Sequence, residues 1–357
     1  MKSKRTKTAF VVGGVDTHKD IHVGAVVDEH DRVMGSAFFS TTRSGYQQML
    51  KWMNNFGVVS RVGVECTGTY GAGLVRYLQQ MKVEVLEVTA PDKMERRKRG
   101  KSDTIDAESA AHAAFSLIRT VTPKTRNGVI ESLRVLKTCR KSAITARKIA
   151  LQMIQTNIVS APDKLREQLR RMTRMLLIRT LPSWQSEPRK YRNIENAYRI
   201  ALKSLAQKYL ELHNETADLN NMIISIVDEV APELIKQRGI GYESATLFLM
   251  TAGDNPTRLS SEAGFAALCG VSPAPVSSGK TNRYRLNRGD DRAANSALHI
   301  DALTRLRTDG GTQEFVTKKI TEGHTKLEAI RCIKRYISRE VYKLICHQYH
   351  SVNLLLA

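Results

Sequence analysis

Short apolar runs separated by polar turns recur along the first quarter of the chain, which is the pattern of β-strands. The first three runs are joined by short turns and predict an antiparallel meander. Amphipathic patterns predict a helix over 43–55 and another that ends near Gln80. The predicted strands cover residues 9–16, 21–27, 32–39, 58–65 and 83–88. Three strands followed by helix, strand, helix, strand and helix is the order of a ribonuclease-H-like fold, so we expect an α/β domain here.

Single acidic residues stand where two of these strands end. Asp16 follows the first apolar run and Glu65 follows the fourth. In a ribonuclease-H-like sheet the first and fourth strands are neighbours, so we expect the two carboxylates to lie side by side. A lone acid at a strand end is more often an ordinary turn residue, so neither acid carries much weight alone.

A second pair of acids opens a predicted helix. Asp103 and Asp106 share one helix face, where like charges repel by roughly a few tenths of a kcal/mol. Ser102 as an N-cap and the helix dipole would tolerate both charges without any ligand. A divalent cation held by all four acids explains them together, because metal-dependent phosphoryl chemistry needs rigidly placed carboxylates.

Residues 127 to about 230 change to apolar positions at heptad-like spacing among many lysines and arginines. The pattern predicts two long helices, with prolines in the segment between them. A coiled-coil dimerisation arm and an internal helical bundle both fit this pattern, and we favour the arm. From Pro232 onward the patterns predict a third, mainly helical unit.

Two glycine-containing turns in the third unit are candidates for chemistry. Gly239 and Gly241 resemble the turn of a helix-hairpin-helix, whose backbone N–H groups contact phosphate, although many ordinary helix turns match it too. Ser277 and Ser278 precede Gly279 in a polar stretch that we expect to be a loop. A serine hydroxyl can attack a phosphate whose charge is stabilised by cations, so either serine is a candidate nucleophile.

A formal net charge of +21, spread along the chain, implies a polyanionic partner. One basic cluster precedes the acidic helix and a second follows the serine pair, and both would attract a phosphate backbone. Solvated basic loops without a ligand are the ordinary alternative. With the two glycines, the candidate nucleic-acid-binding residues are Arg96, Arg97, Lys98, Arg99, Lys101, Gly239, Gly241, Lys280, Arg283, Arg285, Arg288 and Arg292.

The five cysteines are scattered, which argues against a disulfide framework or a zinc ribbon and for a reducing compartment. No apolar run is long enough for a membrane span, and the basic start leads into a strand pattern instead of a signal peptide. We therefore expect a cytoplasmic protein without a membrane partner.

Seven short motifs together resemble a known family. The acidic motifs are Val15-Asp16-Thr-His-Lys, Val64-Glu65-Cys-Thr-Gly-Thr-Tyr and Lys101-Ser-Asp103-Thr-Ile-Asp106-Ala. The later motifs are Gly239-Ile-Gly, Gly270-Val-Ser-Pro, Ser277-Ser-Gly and Arg288-Gly-Asp. In this order and spacing they resemble the DEDD-type insertion-sequence transposases, which also include the Piv site-specific DNA invertases. The similarity spans nearly the whole chain.

The resemblance implies a division into three parts. These are a RuvC-like DEDD catalytic domain over 1–125, a helical, coiled-coil oligomerisation region over 126–231, and a C-terminal transposase domain over 232–357 that carries a catalytic serine loop. The resemblance also implies a DNA recombinase that works as a dimer or tetramer, with active sites shared between subunits. Donor and target DNA would be its substrates, selected by a structured noncoding bridge RNA.

The same resemblance assigns roles to particular side chains. The acids that would bind a divalent metal, expected to be magnesium, are Asp16, Glu65, Asp103 and Asp106. Ser278, or Ser277 in a shifted register, would attack the DNA phosphodiester and become joined to the strand end. Such a link conserves the bond energy, and no Walker-type nucleotide-binding loop is present in the sequence, so recombination fits better than simple cleavage.

Two other functions stay open from the sequence. A RuvC-like junction nuclease would use the same acids to activate water, while the serine stretch only bound the DNA backbone. A non-catalytic scaffold with a degenerate nuclease fold would bind nucleic acid through the positive charge alone.

Overall fold

The computed structural model describes residues 9–89, 102–278, 281–285, 287 and 291–356. Two compact units divide the chain. The first comprises Met1–Gly128 with Ala252–Ser260, and the second comprises Val129–Thr251 with Ser261–Ala357. The predicted three-part division of the chain stays a prediction.

A six-stranded mixed sheet forms the centre of the first unit. Its strands are β1 Phe10–Thr17, β2 Ile21–Val27, β3 Val33–Ser40, β4 Val58–Val64, β5 Glu84–Val88 and β6 Thr120–Val121. The spatial order is β3-β2-β1-β4-β5-β6. Strands β1 to β3 pair antiparallel, as the predicted meander requires, whereas β4 is parallel to β1 and β5 is parallel to β4. The order is compatible with a ribonuclease-H-like domain. The two-residue strand β6 was not predicted.

Three helices cover the two faces of this sheet. They are α1 Arg43–Asn54, α2 Ala72–Gln80 and α3 Asp103–Ser116, and a 3-10 turn spans Pro256–Arg258. Strand side chains alternate between the faces, so Val11 and Val15 pack with α1 and α2, while Val12 packs with α3. By the same alternation Gly14 and Asp16 belong to the α3 face.

Helix α3 lies unusually close to the sheet because both surfaces are built from small residues. A Cβ placed on Gly14 would lie 2.1 Å from the Ala111 nitrogen, and one on Gly63 would lie 2.6 Å from the Ala110 carbonyl oxygen. Alanines on the facing side of α3, among them Ala107 and Ala114, are fully buried. These contacts set the height of α3 above β1 and β4.

The second unit is mainly helical, as predicted. Its helices are α4 Val129–Ser160, α5 Asp163–Arg170, α6 Arg174–Thr180, α7 Ile194–Val230, α8 Pro232–Ile235, α9 Tyr242–Ala252, α10 Glu262–Leu268, α11 Arg292–Thr308, α12 Gly310–Thr321 and α13 Lys326–Leu356. Short 3-10 turns span Leu181–Ser183 and Pro188–Lys190. A two-stranded hairpin is formed by β7 Ala274–Ser278 and β8 Thr281–Arg285.

The long helices α4 and α7 pack on each other within one chain. The Tyr198 hydroxyl donates to the Ser160 carbonyl oxygen at 2.7 Å, whereas Arg140 near the start of α4 bonds Asn220 near the end of α7, so the pair is antiparallel. Ile154 and Leu202 belong to the core that these helices share with the short helices between them. This arrangement matches the internal-bundle alternative, and a coiled-coil oligomerisation arm stays a prediction.

No helix in the described part of the chain combines the length and apolar character that a membrane span requires.

Candidate active site

Two neighbouring strand ends place the first two predicted acids. The parallel register sets Val15 of β1 beside Val64 of β4, and the Glu65 N–H donates to the Val15 carbonyl oxygen at 3.1 Å. The Thr17 hydroxyl donates to the Glu65 carbonyl oxygen at 3.0 Å, which ties the two ends together. Asp16 and Glu65 are both buried. The expected adjacency of these strand ends is therefore present in the backbone.

Helix α3 supplies the other two acids from its first turn. The Ser102 hydroxyl accepts the Ile105 N–H at 3.3 Å and caps the helix, as the sequence suggested. Asp106 is buried and Asp103 is exposed. Both belong to the helix that packs on the Gly14 face of the sheet, which is the face that carries Asp16.

His18, which is not among the predicted site residues, completes a compact cluster. Its Nε2 atom lies 3.0 Å from Asp16 Oδ2 and 3.4 Å from Asp103 Oδ1. Ligand atoms of these three residues lie within 4.8 Å of one another, close enough to share a metal ion. The structure thus groups two of the four predicted acids with a histidine. Asp106 is close enough for its charge to raise the pKa of Asp16, and Glu65 follows the neighbouring strand end, but neither belongs to this group. The position of His18 two residues after Asp16 was the signal that could have identified it.

The cluster carries unfavourable electrostatics in the absence of a cation. Burial raises the pKa of the Asp16 carboxyl above its ordinary value, His18 opposes this, and the Asp106 and Asp103 carboxylates raise it further. Burial likewise raises the pKa of the Cys66 thiol, and the charges of Glu65 and Asp16 act in the same direction. A divalent cation would relieve this repulsion, and carboxylate oxygens are the ligands that Mg²⁺ prefers. The donor set therefore fits a divalent metal.

A buried, neutral histidine lies on β2, beside the strand end that carries Asp16. His22 on β2 pairs with Thr17, is fully buried, and stacks on Tyr46 with ring centroids 5.7 Å apart. Burial, with a smaller effect of His18, lowers the pKa of His22 to about 4. The imidazole is therefore uncharged near neutral pH and does not offset the carboxylates.

The predicted serine loop is a β-hairpin, so the expectation of a loop was wrong. Ser277 and Ser278 end β7, where they pair with Asn282 and Thr281 of β8. Pro275 and the adjacent polar residues resemble a loop in sequence, but Pro275 lies in a two-stranded ribbon, where a missing N–H is tolerated. A hairpin holds the backbone of both serines more firmly than a loop would.

The predicted basic residues fall into described and undescribed groups. Arg96, Arg97, Lys98, Arg99, Lys101, Lys280 and Arg288 lie outside the described residues. The backbone of Arg283 belongs to β8, Arg285 ends that strand with an exposed side chain, and Arg292 is exposed at the start of α11. The described members therefore lie on or just after the serine hairpin.

The Gly-Ile-Gly turn precedes helix α9. Gly239 adopts a φ of +85° and lies against α11, since a Cβ there would meet the Asp301 carbonyl oxygen at 3.0 Å. Gly241 has open space around it, and its carbonyl oxygen accepts the Ala245 N–H of the first turn of α9. The preceding helix α8 has only four residues. A helix-hairpin-helix function for this turn stays a prediction.

Comparison with known proteins decides the family. Residues 13–174 match a transposase family model of the DEDD IS110 type, and residues 232–317 match the transposase IS116/IS110/IS902 family. The chain belongs to the IS110 family of transposases. The first match contains all four acids, and the second contains the Gly-Ile-Gly turn and the serine hairpin, so both candidate sites of this IS110-family chain lie within matched segments.

One curated relative of this IS110-family chain is an uncharacterized 42 kDa protein of insertion element IS900 from Mycobacterium paratuberculosis. It is 26% identical over 134 residues, which cover 37% of this chain and 34% of the relative. The match thus spans about a third of that relative's length.

Proposed function

We propose that this chain cuts and rejoins DNA strands as the transposase of an insertion sequence. The observation that carries the proposal is the acidic cluster, in which the end of β1 and the start of α3 bring Asp16, His18 and Asp103 together beside the end of β4. The order of these elements along the chain and the family matches over 13–174 and 232–317 support the same activity. The ribonuclease-H-like, RuvC-like character of the first unit belongs to the proposal.

The acids and His18 would hold the divalent metal. When bound, such an ion would stabilise negative charge on a scissile phosphate and on the oxygen that leaves it. Asp16 and Glu65 supply rigidity because they are buried at paired strand ends, and Asp103 supplies an exposed ligand from the helix. His18 Nε2 lies 3.0 Å from Asp16 Oδ2, so both atoms could bind the same ion. Magnesium is proposed as the ion, with manganese the natural comparison because carboxylate oxygens suit both ions.

The serine hairpin would supply the nucleophile. The hydroxyl oxygen of Ser278, or of Ser277 in the alternative register, would attack phosphorus and form a new P–O bond while the bond to a deoxyribose oxygen breaks. The serine gives up its proton and the leaving oxygen takes one up, so the number of phosphoester bonds is unchanged. Attack by a second strand end reverses these changes, and the strands rejoin without a nucleotide cofactor.

The partners belong to the same proposal. Donor and target DNA would be the substrates, the bridge RNA would select them by base pairing, and the chain would act as a dimer or tetramer. The net charge of +21 suits binding to either nucleic acid, and such binding should weaken steeply as salt rises. Sequencing the nucleic acid that copurifies with the protein tests guide and target together.

Trapping of a covalent intermediate tests the reaction. The full-length protein, incubated with Mg²⁺ and element-end DNA, should give a protein–DNA adduct that survives denaturation. Ser278→Ala should abolish the adduct, and Ser277→Ala should retain it. Clean hydrolysis that persists in both variants would instead establish the junction nuclease that activates water.

A second variant separates catalysis from binding. Asp16→Ala should remove strand transfer but leave the salt-dependent affinity for DNA in place. Asp163→Ala is a matched control, because Asp163 lies in the other unit and its side chain is 84% accessible. Strand transfer that survives in Asp16→Ala would refute the role of the acidic cluster.

A further inference from the structure

A cavity of about 670 Å³ lies in the second unit, at the end of the serine hairpin that is away from its turn. Its walls come from the segment 270–273, from the end of β8 and from the first turns of helix α13. This volume is in the range of about 300–1,000 Å³ that is typical of small-molecule sites. The acidic cluster plays no part in it.

A buried lysine forms part of the wall. Lys334 is only 6% exposed, and its Nζ atom donates to Asn295 Oδ1 at 2.7 Å. Asn295 in turn donates to the Cys269 and Gly270 carbonyl oxygens, both at 2.9 Å, so the lysine is fixed to the Gly270 wall. Among the ion pairs formed by the described residues, none includes Lys334. A buried ammonium group with a neutral partner is costly, and an anion in the cavity would compensate its charge.

The charge of the cavity wall favours an anionic ligand. Arg285 and Arg331 also line it, and proximity to Arg331 adds to the burial that lowers the pKa of Lys334. Glu328 is the acidic residue in the described wall, and it accepts hydrogen bonds from the Thr325 N–H and hydroxyl at the start of α13. Its position is therefore already explained by helix capping, and the lysine and arginine side chains of the described wall are all cationic.

The same cavity presents aromatic and apolar surface. Tyr284 and Tyr336 line it with exposures of 68% and 46%, and Val271 and Pro273 complete that side. Nucleobases stack on exposed aromatic rings of this kind, whereas a free inorganic anion gains nothing from them. The combination of phosphate-binding cations and aromatic rings is that of a nucleotide site.

We propose that this cavity binds one unpaired DNA nucleotide, with its phosphate at Lys334 and Arg331 and its base against Tyr336 and Tyr284. The choice of DNA rests on the proposed function, because the same hairpin carries Ser278. Tyr284 pairs with Pro275, three residues from Ser278 along β7. At about 3.3 Å per strand residue, Pro275 and Ser278 lie about 10 Å apart along β7. The captured nucleotide would therefore lie within about three nucleotides of the cleaved phosphate along the DNA strand.

Calorimetric titration of the full-length protein with dAMP tests the cavity directly. Stacking of the base should make dAMP bind at least about fivefold more tightly than inorganic phosphate. Lys334→Met should weaken dAMP binding by about tenfold or more. The variant loses the hydrogen bond to Asn295 but also removes an unpaired buried charge, so the unfolding temperature should not fall. Lys343→Met is the matched control, since it lies nine residues further along α13, on the opposite face, and is exposed.

Several results would overturn the inference. Equal affinities for dAMP and phosphate would leave an anion site with no base recognition. A Lys334→Met variant that binds dAMP normally, or a Lys343→Met variant that loses binding equally, would show that the cavity is not the site. A lower unfolding temperature in Lys334→Met with unchanged dAMP binding would make Lys334 a structural residue.

Short single strands that carry 2-aminopurine distinguish the two nucleic acids. Binding to the DNA strand should change the fluorescence in a Lys334-dependent way, and a response confined to the RNA strand would overturn the assignment to DNA. Ser278→Ala should retain dAMP binding and this fluorescence change. Failure of the covalent-adduct experiment with intact dAMP binding would therefore refute the proposed reaction without refuting the nucleotide site.

Discussion

The contact between Gly14 and helix α3 should control both stability and metal binding in the first unit. In Gly14→Ala the new Cβ would lie 2.1 Å from the Ala111 nitrogen and 2.3 Å from the Ala107 carbonyl oxygen. Both partners are backbone atoms, so no side chain can rotate away. The helix would have to retreat by about 1.3 Å or more to bring the 2.1 Å contact to an ordinary van der Waals separation of about 3.4 Å. Overpacking of this kind costs about 3 kcal/mol, near the upper end of the usual range.

Displacement of α3 should also be visible at the acidic cluster, because α3 carries Asp103 and Asp106 while Asp16 stays on the sheet. A shift of about 1 Å typically costs about a hundredfold where reacting groups must be aligned. We therefore expect Gly14→Ala to lose most of its Mg²⁺-dependent stabilisation and its strand-transfer activity. Gly24→Ala is the matched control, since its new Cβ would meet side-chain atoms of Met53 and Phe39 at 3.4 Å, an ordinary contact.

Urea unfolding followed by tryptophan fluorescence can resolve this effect. The chain has two tryptophans, Trp52 in α1 and Trp184 in the second unit. In a Trp184→Phe background, the fluorescence reports on the first unit alone, with and without Mg²⁺. Equal unfolding midpoints and equal Mg²⁺ responses for Gly14→Ala and Gly24→Ala would refute the reasoning.

Three further predictions follow from single side chains. Asp16→Asn should raise the thermal midpoint in EDTA and abolish the increase caused by Mg²⁺, because it removes a buried charge that faces other carboxylates; a retained Mg²⁺ response would contradict this. Burial raises the pKa of Asp301 from 3.8 to about 6, so the folded state holds a proton that the unfolded state releases, and stability falls as pH rises between these values. Asp301→Asn keeps an acceptor for the Ser244 hydroxyl but does not titrate. Its free energy of unfolding relative to the wild type should therefore rise by about 3 kcal/mol between pH 3.5 and pH 7, measured by urea unfolding. A difference that does not change with pH would exclude this linkage. Thr17→Val removes the hydrogen bond to the Glu65 carbonyl oxygen and should cost about 1 kcal/mol in the same assay, with no change in unfolding refuting that role.

Much of the first unit could be predicted from the sequence because its signals are local. Strands β1 to β5 follow short apolar runs, helices α1 and α2 follow amphipathic patterns, and Ser102 caps α3 as its position suggested. The adjacency of Asp16 and Glu65 followed once the strand order was assumed. Strand β6 could not be predicted, because two residues are too short to show any period.

The features that were missed depend on contacts between distant segments. His18 follows Asp16 by two residues, but its contact with Asp103 at 3.4 Å depends on the packing of α3 on the sheet. The serine hairpin was mistaken for a loop because Pro275 and the polar residues around it carry no strand pattern, and only pairing across the turn stabilises them. The packing of α4 on α7 could not be predicted either, because heptad spacing does not reveal whether the partner helix belongs to the same chain.

The alanine and glycine surfaces that let α3 approach the sheet also limit how strongly it is held there. Ala107, Ala110, Ala111 and Ala114 are fully buried, but each methyl group removes little apolar area from water compared with a leucine or phenylalanine. Hydrophobic burial therefore attaches this helix weakly, and repulsion between its carboxylates and Asp16 opposes the attachment. A cation that bridges the helix and the strand ends would reverse the sign of that interaction, adding about 2.7 kcal/mol at a hundred times its dissociation constant. If the proposed metal binds there, metal binding and the docking of α3 are coupled, so the small-residue packing is as much a part of the proposed site as the acids are.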